Sequence, residues 1–459
     1  MQRVSVFQTS ERDPVMKRAI ELLLGVALIS ILFAGCKEDV PTESGESSGY
    51  PDAANRVKVL VDLDCTRYGS GEVGYNSMTE LLYQIKAANG PKIEVEYVPG
   101  SGPERDNKIT SLLTQIMAGE GPDLYLIACS SPDSVSIRGN PEHPFLFPYV
   151  QSVMRQGRFL PLDDFIQTAR FMEWDKLTPA VMEAGKTEQG QMVLPMTYDF
   201  EATVFNRADI AFYDSLPMTW EQAYASNDLA LWASGSYNDT KFGDALGELA
   251  DYDAFKLRFS EEELANVAYQ ASDLLQRNIT GGFSGAPAHL SLLFSRHNGR
   301  ALSSVSPPGL LAEEDPAIVP LYNIAGGVTA NITSFAAIDA NTDCPEEAFF
   351  VADLLLSKKV QQSSFFSCVD GVPVHEELLR NTDKVSLQKD DPDPWCFSDA
   401  GFREYCRVRA EINAVKFYSP LDLELTNMFG GLKGTESEEE VAKTARETYR
   451  VLQMMLDES

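Results

Sequence analysis

The chain has 459 residues, 68 acidic against 38 basic side chains for a formal net charge of −30, and 44% hydrophobic and 10% aromatic content. The acidic surplus argues against nucleic acid as a partner, because neutralising phosphates needs a basic face. The length exceeds what one compact core usually organises, so two lobes are expected.

At the N-terminus, Met16-Lys17-Arg18 precedes an apolar run from Leu22 to Phe33, and small residues Ala34-Gly35 stand directly before Cys36. That order predicts an export signal over residues 1–35, shorter than the about 20 apolar residues of a membrane span. Met16 is a better start than Met1. Leu32-Phe33-Ala34-Gly35-Cys36 resembles a bacterial lipobox, which implies lipidation (a palmitate-type anchor) at Cys36 and an outward-facing place at the cell membrane. Residues 36–55 hold hardly an apolar side chain and read as a flexible tether, because such a segment cannot offset its ordering entropy. The remaining cysteines are Cys65, Cys129, Cys344, Cys368, Cys396 and Cys406. Outside the cytoplasm they permit disulfides without fixing a pairing. None forms a C-x-x-C pair and the four histidines are scattered; no metal and no cofactor are expected.

The ordered part begins with Val57–Leu63 (VKVLVDL), a run of the kind a buried parallel strand shows. A glycine-rich loop and a helical stretch from Met78 to Ala88 follow. Lys92–Val98 alternates as a strand and stops at Pro99-Gly100. Ile109, Leu112, Leu113 and Ile116 recur at helical spacing, with Gly119 at the C-terminal cap. Asp123–Ala128 (DLYLIA) is a third strand. The order β-α-β-α-β predicts an α/β fold with parallel pairing and right-handed crossovers. Asp163-Asp164 open another helical stretch, and Gln191–Pro195 leads towards Thr203–Asn206. Thr219 can cap a helix in a capping box closed by Gln222. Ser334–Asp339 reads as a strand. The next helix has Pro345 in its first turn, Glu346-Glu347 near its positive end and Lys358-Lys359 near its negative end. A last helix spans Glu438 to Leu456. No repeat and no internal membrane span is evident.

Several segments carry a family resemblance. Gly119–Ile127 (GEGPDLYLI), Gly157–Ile166 (GRFLPLDDFI), Gly190–Ile210 (GQMVLPMTYDFEATVFNRADI) and Ala336–Gln361 (AAIDANTDCPEEAFFVADLLLSKKVQ) resemble, in this order and spacing, segments of the family 1 extracellular solute-binding proteins. A weaker match is Gly431–Ala445 (GLKGTESEEEVAKTA). The resemblance covers nearly all of 55–459. It implies a two-lobed periplasmic-binding-protein-like fold of type II, with discontinuous lobes and an interlobe ligand cleft. The expected lobes are 56–195 with 334–378, and 196–333 with 379–459. The function implied is substrate binding for an ABC importer, with no catalysis. Its partners would be a small polar solute, most plausibly a sugar, the importer's membrane subunits and the membrane through the anchor, and the protein itself would be a monomer.

Ligands of open α/β sheets sit beyond the C-terminal ends of the strands. That rule nominates Thr66, Arg67 and Tyr68 after the first strand, Ser130 and Ser131 after the third, and Tyr198 and Asp199 after the crossing strand. On the resemblance, Asp199 takes the place of a ligand-contacting acid. Carboxylate, hydroxyl and guanidinium groups suit sugar hydroxyls, and aromatic faces suit the ring's C–H patch. Trp232 and Tyr237 are further stacking candidates, weighed against core packing. Gly327, in Gly326-Gly327, matches a family pair that admits backbone to the ligand; a plain turn is the alternative. Cys65 and Cys129 fall just past strands that the resemblance sets side by side, so they are expected near one another, bridged or as two thiols.

Three other readings bear on the same sequence. Gly69–Gly74 fits G-x-G-x-x-G, but five residues separate it from the strand and a dinucleotide turn needs the glycine almost at once. An exported carbohydrate-active enzyme, or a surface glycan-binding protein without an importer, remains the alternative; abundant acids alone do not select paired catalytic carboxylates.

Overall fold

The structure is a computed structural model that describes residues 56–63, 71–100, 102–129, 145–207, 215–226, 239–281, 288–289, 316–369, 371–380, 382–384 and 396–459. The signal, the tether and Cys36 lie outside these residues, as do Cys65, Thr66, Arg67, Tyr68, Ser130, Ser131, Trp232 and Tyr237.

The apolar runs become the centre of a seven-stranded sheet. Strand β1 (Arg56–Asp62) pairs in parallel with β2 (Lys92–Tyr97) on one side and β3 (Leu124–Ala128) on the other. The helices between them are α1 (Gly71–Ala87) and α2 (Gly102–Ala118). All five residues of β3 are buried, as an apolar run covered on both faces demands. Helix α2 buries Ile109, Leu112 and Ile116 and stops at Gly119, whose φ of 76° suits a residue without Cβ.

The sheet is completed from distant sequence. β4 (Leu194–Phe200) and the long β5 (Val328–Ile338) run antiparallel to one another. The second half of β5 also pairs with β3, Ser334 opposite Ala128 and Ile338 opposite Leu124. A two-residue strand, Val372–Pro373, pairs with β4 at the edge. The first half of β5 pairs in parallel with β6 (Ile412–Phe417). One strand therefore serves two groups of neighbours.

A second, three-stranded sheet begins two residues after β4. Ala202–Asn206 pairs antiparallel with Pro316–Pro320 and with Ala288–His289. Around it stand helices α3 (Trp220–Ser226), α4 (Glu261–Gly281), α5 (Asp399–Ala410), α6 (Pro420–Gly430) and α7 (Glu438–Asp457). Thr219 and Gln222 form the expected capping box: Thr219 N–H donates to Gln222 Oε1 at 3.0 Å and Gln222 N–H to Thr219 Oγ1 at 3.1 Å. Ser437 and Glu440 do the same for α7.

Two expectations shift. The strand expected from Ser334 begins at Val328, because the polar members of Val328–Thr333 are buried and bonded rather than looped. The helix after Pro345 ends at Leu355. Ser357 Oγ then accepts Val360 N–H and starts a separate turn, so Lys358-Lys359 do not sit at a negative helix end. Lys358 is met instead by Glu377 at 3.2 Å and Asp383 at 2.8 Å.

Candidate ligand site at the junction of the two sheets

The chain leaves the first sheet where β4 ends, at Phe200–Ala202, and returns along β5. Cys129, just past β3, donates its backbone N–H to Thr333 O at 2.7 Å. The C-terminal end of a central parallel strand therefore meets the returning strand, which is where the strand-end rule places a ligand.

Successive side chains of a strand face opposite ways, and β4 uses both faces. Tyr198 and Phe200 point to α5: the Tyr198 and Tyr405 hydroxyls lie 2.6 Å apart, and Phe200 stacks on Tyr405 with ring centroids 6.2 Å apart. Burial pushes both tyrosine pKa values up. On the other face stand Thr197, Asp199 and Glu201. Thr197 Oγ1 lies 2.5 Å from Ser334 Oγ and accepts from Thr333 Oγ1 at 2.7 Å. Gly371, at φ 93°, packs where a Cβ would come within 2.3 Å of Thr333 Oγ1 and 2.8 Å of Tyr198 O, so only glycine fits. Asp199 is 7% and Glu201 1% exposed.

The β1 end is held by another buried charge. Arg105 of α2, 2% exposed, grips Asp62 with two bonds of 2.8 and 2.9 Å and also donates to Pro99 O at 3.0 Å. This fork ties the end of β1 to α2.

A third group sits on the β6 side. Lys416, 4% exposed, bridges Asp244 at 3.0 Å and Asp422 at 2.6 Å. Asn331 of β5 donates to Asp244 at 3.1 Å. Asp422 also accepts the Ser419 N–H and hydroxyl at 2.9 and 2.8 Å. Burial opposes the Lys416 charge, but Asp422 and Asp244 outweigh it and lift its pKa above the usual lysine value. The cluster fixes the end of β6, where Tyr418 meets Phe145 edge-on at 6.2 Å.

Among the expected contacts that fall within the described residues, Asp199 stands at the junction with its side chain on the polar face. Tyr198 is corrected: it is fully buried and its hydroxyl is spent on Tyr405. Gly327 is corrected too. A Cβ there would fall 2.3 Å from the Asn413 side chain, and Gly327 O closes a turn by accepting Asn323 N–H at 2.9 Å, so packing requires the glycine. Thr197, Thr333, Ser334 and Glu201 were not singled out from the sequence. Period-two alternation from Asp199 would have found Thr197 and Glu201; nothing local marks Thr333 or Ser334.

No protein-family model matches the sequence, and no curated protein does. Solved structures do match. An extracellular solute-binding protein family 1 member from Alicyclobacillus acidocaldarius gives a TM-score of 0.53 at 14% identity, over 88% of this chain and 100% of that one. The sugar-binding protein MalE from Xanthomonas citri gives 0.53 at 13%, over 88% and 98%. A periplasmic oligogalacturonide-binding protein from Yersinia enterocolitica gives 0.51 at 14%, over 88% and 100%. The chain has the two-lobed solute-binding-protein fold. At such identities the likeness carries the fold, and the ligand must be argued from the residues.

Proposed function

We propose that the chain is the substrate-binding component of an ABC importer and takes a carbohydrate in the cleft between its lobes. The observation that carries the reading is the buried Asp199 carboxylate on the polar face of β4, beside the Thr197, Thr333 and Ser334 hydroxyls and beyond the end of β3. A carboxylate acceptor at a strand-end crevice, backed by hydroxyls that bond one another behind it, suits a ligand rich in hydroxyl groups. The likeness to sugar-binding proteins supports the same class. The first lobe comprises 56–200 with 334–378, the second 202–333 with 379–459; the first crossing lies at Glu201, because β4 stays in the first sheet through Phe200. The protein acts as a monomer without catalysis, held outside the cytoplasm by a lipid on Cys36.

A calorimetric and thermal-shift screen of sugars, amino acids, peptides and polyamines tests this. A sugar raises the melting temperature by linkage, and Asp199→Asn weakens its binding by roughly 10- to 100-fold, the worth of a hydrogen bond to a charged group. Response to peptides alone overturns the carbohydrate class, and turnover of a glycoside overturns the binding-only reading. Cys36→Ser releases the protein from membranes; unchanged membrane partition rejects the anchor.

A further inference from the structure

The first lobe carries a second cavity. It encloses about 440 Å³ and is lined by residues between Asp163 and Gln191. Its lining ends at Gln191, ahead of β4, and shares no residue with the polar face at Thr197, Asp199, Thr333 and Ser334.

Its walls are built rather than incidental. Gln191, 3% exposed, donates its side-chain amide to Met182 O at 2.8 Å and Val193 O at 2.7 Å. Its backbone N–H donates to Asp163 Oδ2 at 2.7 Å. Gly190, at φ 119°, presses so close to that carboxylate that a Cβ would lie 1.9 Å from Oδ2. The hairpin at 186–191 is thereby locked against the short helix at 163–166. Buried Leu177 and Met182 form an apolar floor. Trp174, partly buried, lines the same pocket, and among the described residues its indole N–H has no hydrogen-bond partner and its ring stacks on no other. At the rim stand the acceptors Asp175 and Glu183 and the donors Gln167 and Lys186, with Lys186 3.6 Å from Glu183.

An aromatic face beside both donors and acceptors is the chemistry of a sugar ring, whose C–H patch covers the indole while its hydroxyls bond the rim. A free organic cation would also favour Trp and acids, but Lys186 offsets part of that charge at the rim. We propose that this pocket is a second carbohydrate subsite, separate from the cleft, holding one or two rings of a neutral glycan. It would let the protein hold a glycan chain at a point remote from the cleft. The assignment does not depend on what the cleft binds.

The test is titration of the full mature protein with maltotriose, cellotriose and xylotriose, read by calorimetry and by tryptophan fluorescence. At least one trisaccharide shows a component that Trp174→Ala weakens roughly tenfold or more, that Trp174→Phe largely retains, and that Glu183→Gln reduces. Asp199→Asn leaves this component unchanged. If all three trisaccharides leave the Trp174-dependent signal flat while the variants melt like the parent, the subsite is rejected. Quenching by choline or spermidine in place of any sugar also rejects it, in favour of a cation pocket. Loss of cleft binding with the Trp174 component intact would sink the cleft reading and spare this one.

Discussion

The two sides of β5 are stabilised by different means. On the side of β3 and β4, the strand packs apolar residues into a sheet whose central members Leu124, Leu126, Phe335 and Ala336 are essentially unexposed. On the side of β6, the same strand presents Thr329 and Asn331 to a buried network centred on Lys416 and Asp244. Apolar packing tolerates change in proportion to the volume lost, whereas a buried charge cluster fails as a unit when one member goes. The β3 and β4 side should therefore yield gradually and the β6 side abruptly.

The largest expected effect breaks the cluster. Lys416→Met leaves two carboxylates facing each other without a cation and costs about 3–5 kcal/mol; adding Asp244→Asn recovers part of it. Denaturant unfolding measures both, and a Lys416→Met midpoint equal to the parent's would mean the second lobe does not rest on this cluster. Next comes Leu126→Ala in β3, fully buried, at about 3 kcal/mol from lost transfer and cavity terms. Tyr198→Phe removes one hydroxyl of the Tyr198–Tyr405 pair and costs about 1 kcal/mol, with sugar affinity unchanged; a large affinity loss would return Tyr198 to the site.

The smallest effect is a pH dependence. His375, 2% exposed, has its pKa lowered by burial, an effect that Glu173 at 3.4 Å only partly offsets. The folded state then binds fewer protons than the unfolded one near the free histidine value of about 6.5. Its stability contribution is full above that pH and is lost as pH falls through it towards the depressed folded value. Nearby Glu377, held down to about 2 by Lys176 and Lys358, stays charged throughout. His375→Gln flattens the melting temperature between neutral and mildly acidic pH; an unchanged slope removes His375 as its cause.

What could be read from the sequence follows the same division. The runs Val57–Leu63 and Asp123–Ala128 announce themselves, because a doubly covered strand must be apolar at every position. The segment Val328–Thr333 reads as mixed, since its polar residues are satisfied by Asp244 and Thr197, which lie far away in the chain. No local pattern encodes such partners. At the site, Tyr198 and Asp199 are chain neighbours on one strand and cannot both face one ligand. Alternation alone separates them, and choosing the face required only one known partner. The turn glycine Gly327 was ambiguous for a related reason: whether backbone closeness serves a ligand or Asn413 is decided by a residue distant in sequence.

The continuity of β5 has a mechanical consequence. Its eleven residues are all buried, and they join β6 and β3 without an intervening loop. A twist between the elements paired to its two halves would be carried by a continuous strand and not by a loop. The register irregularity between Ser334 and Phe335 marks where that torsion bar is least constrained, since bulged ladders twist more easily than regular ones. The hydroxyls of Thr197, Thr333 and Ser334 meet at that irregularity.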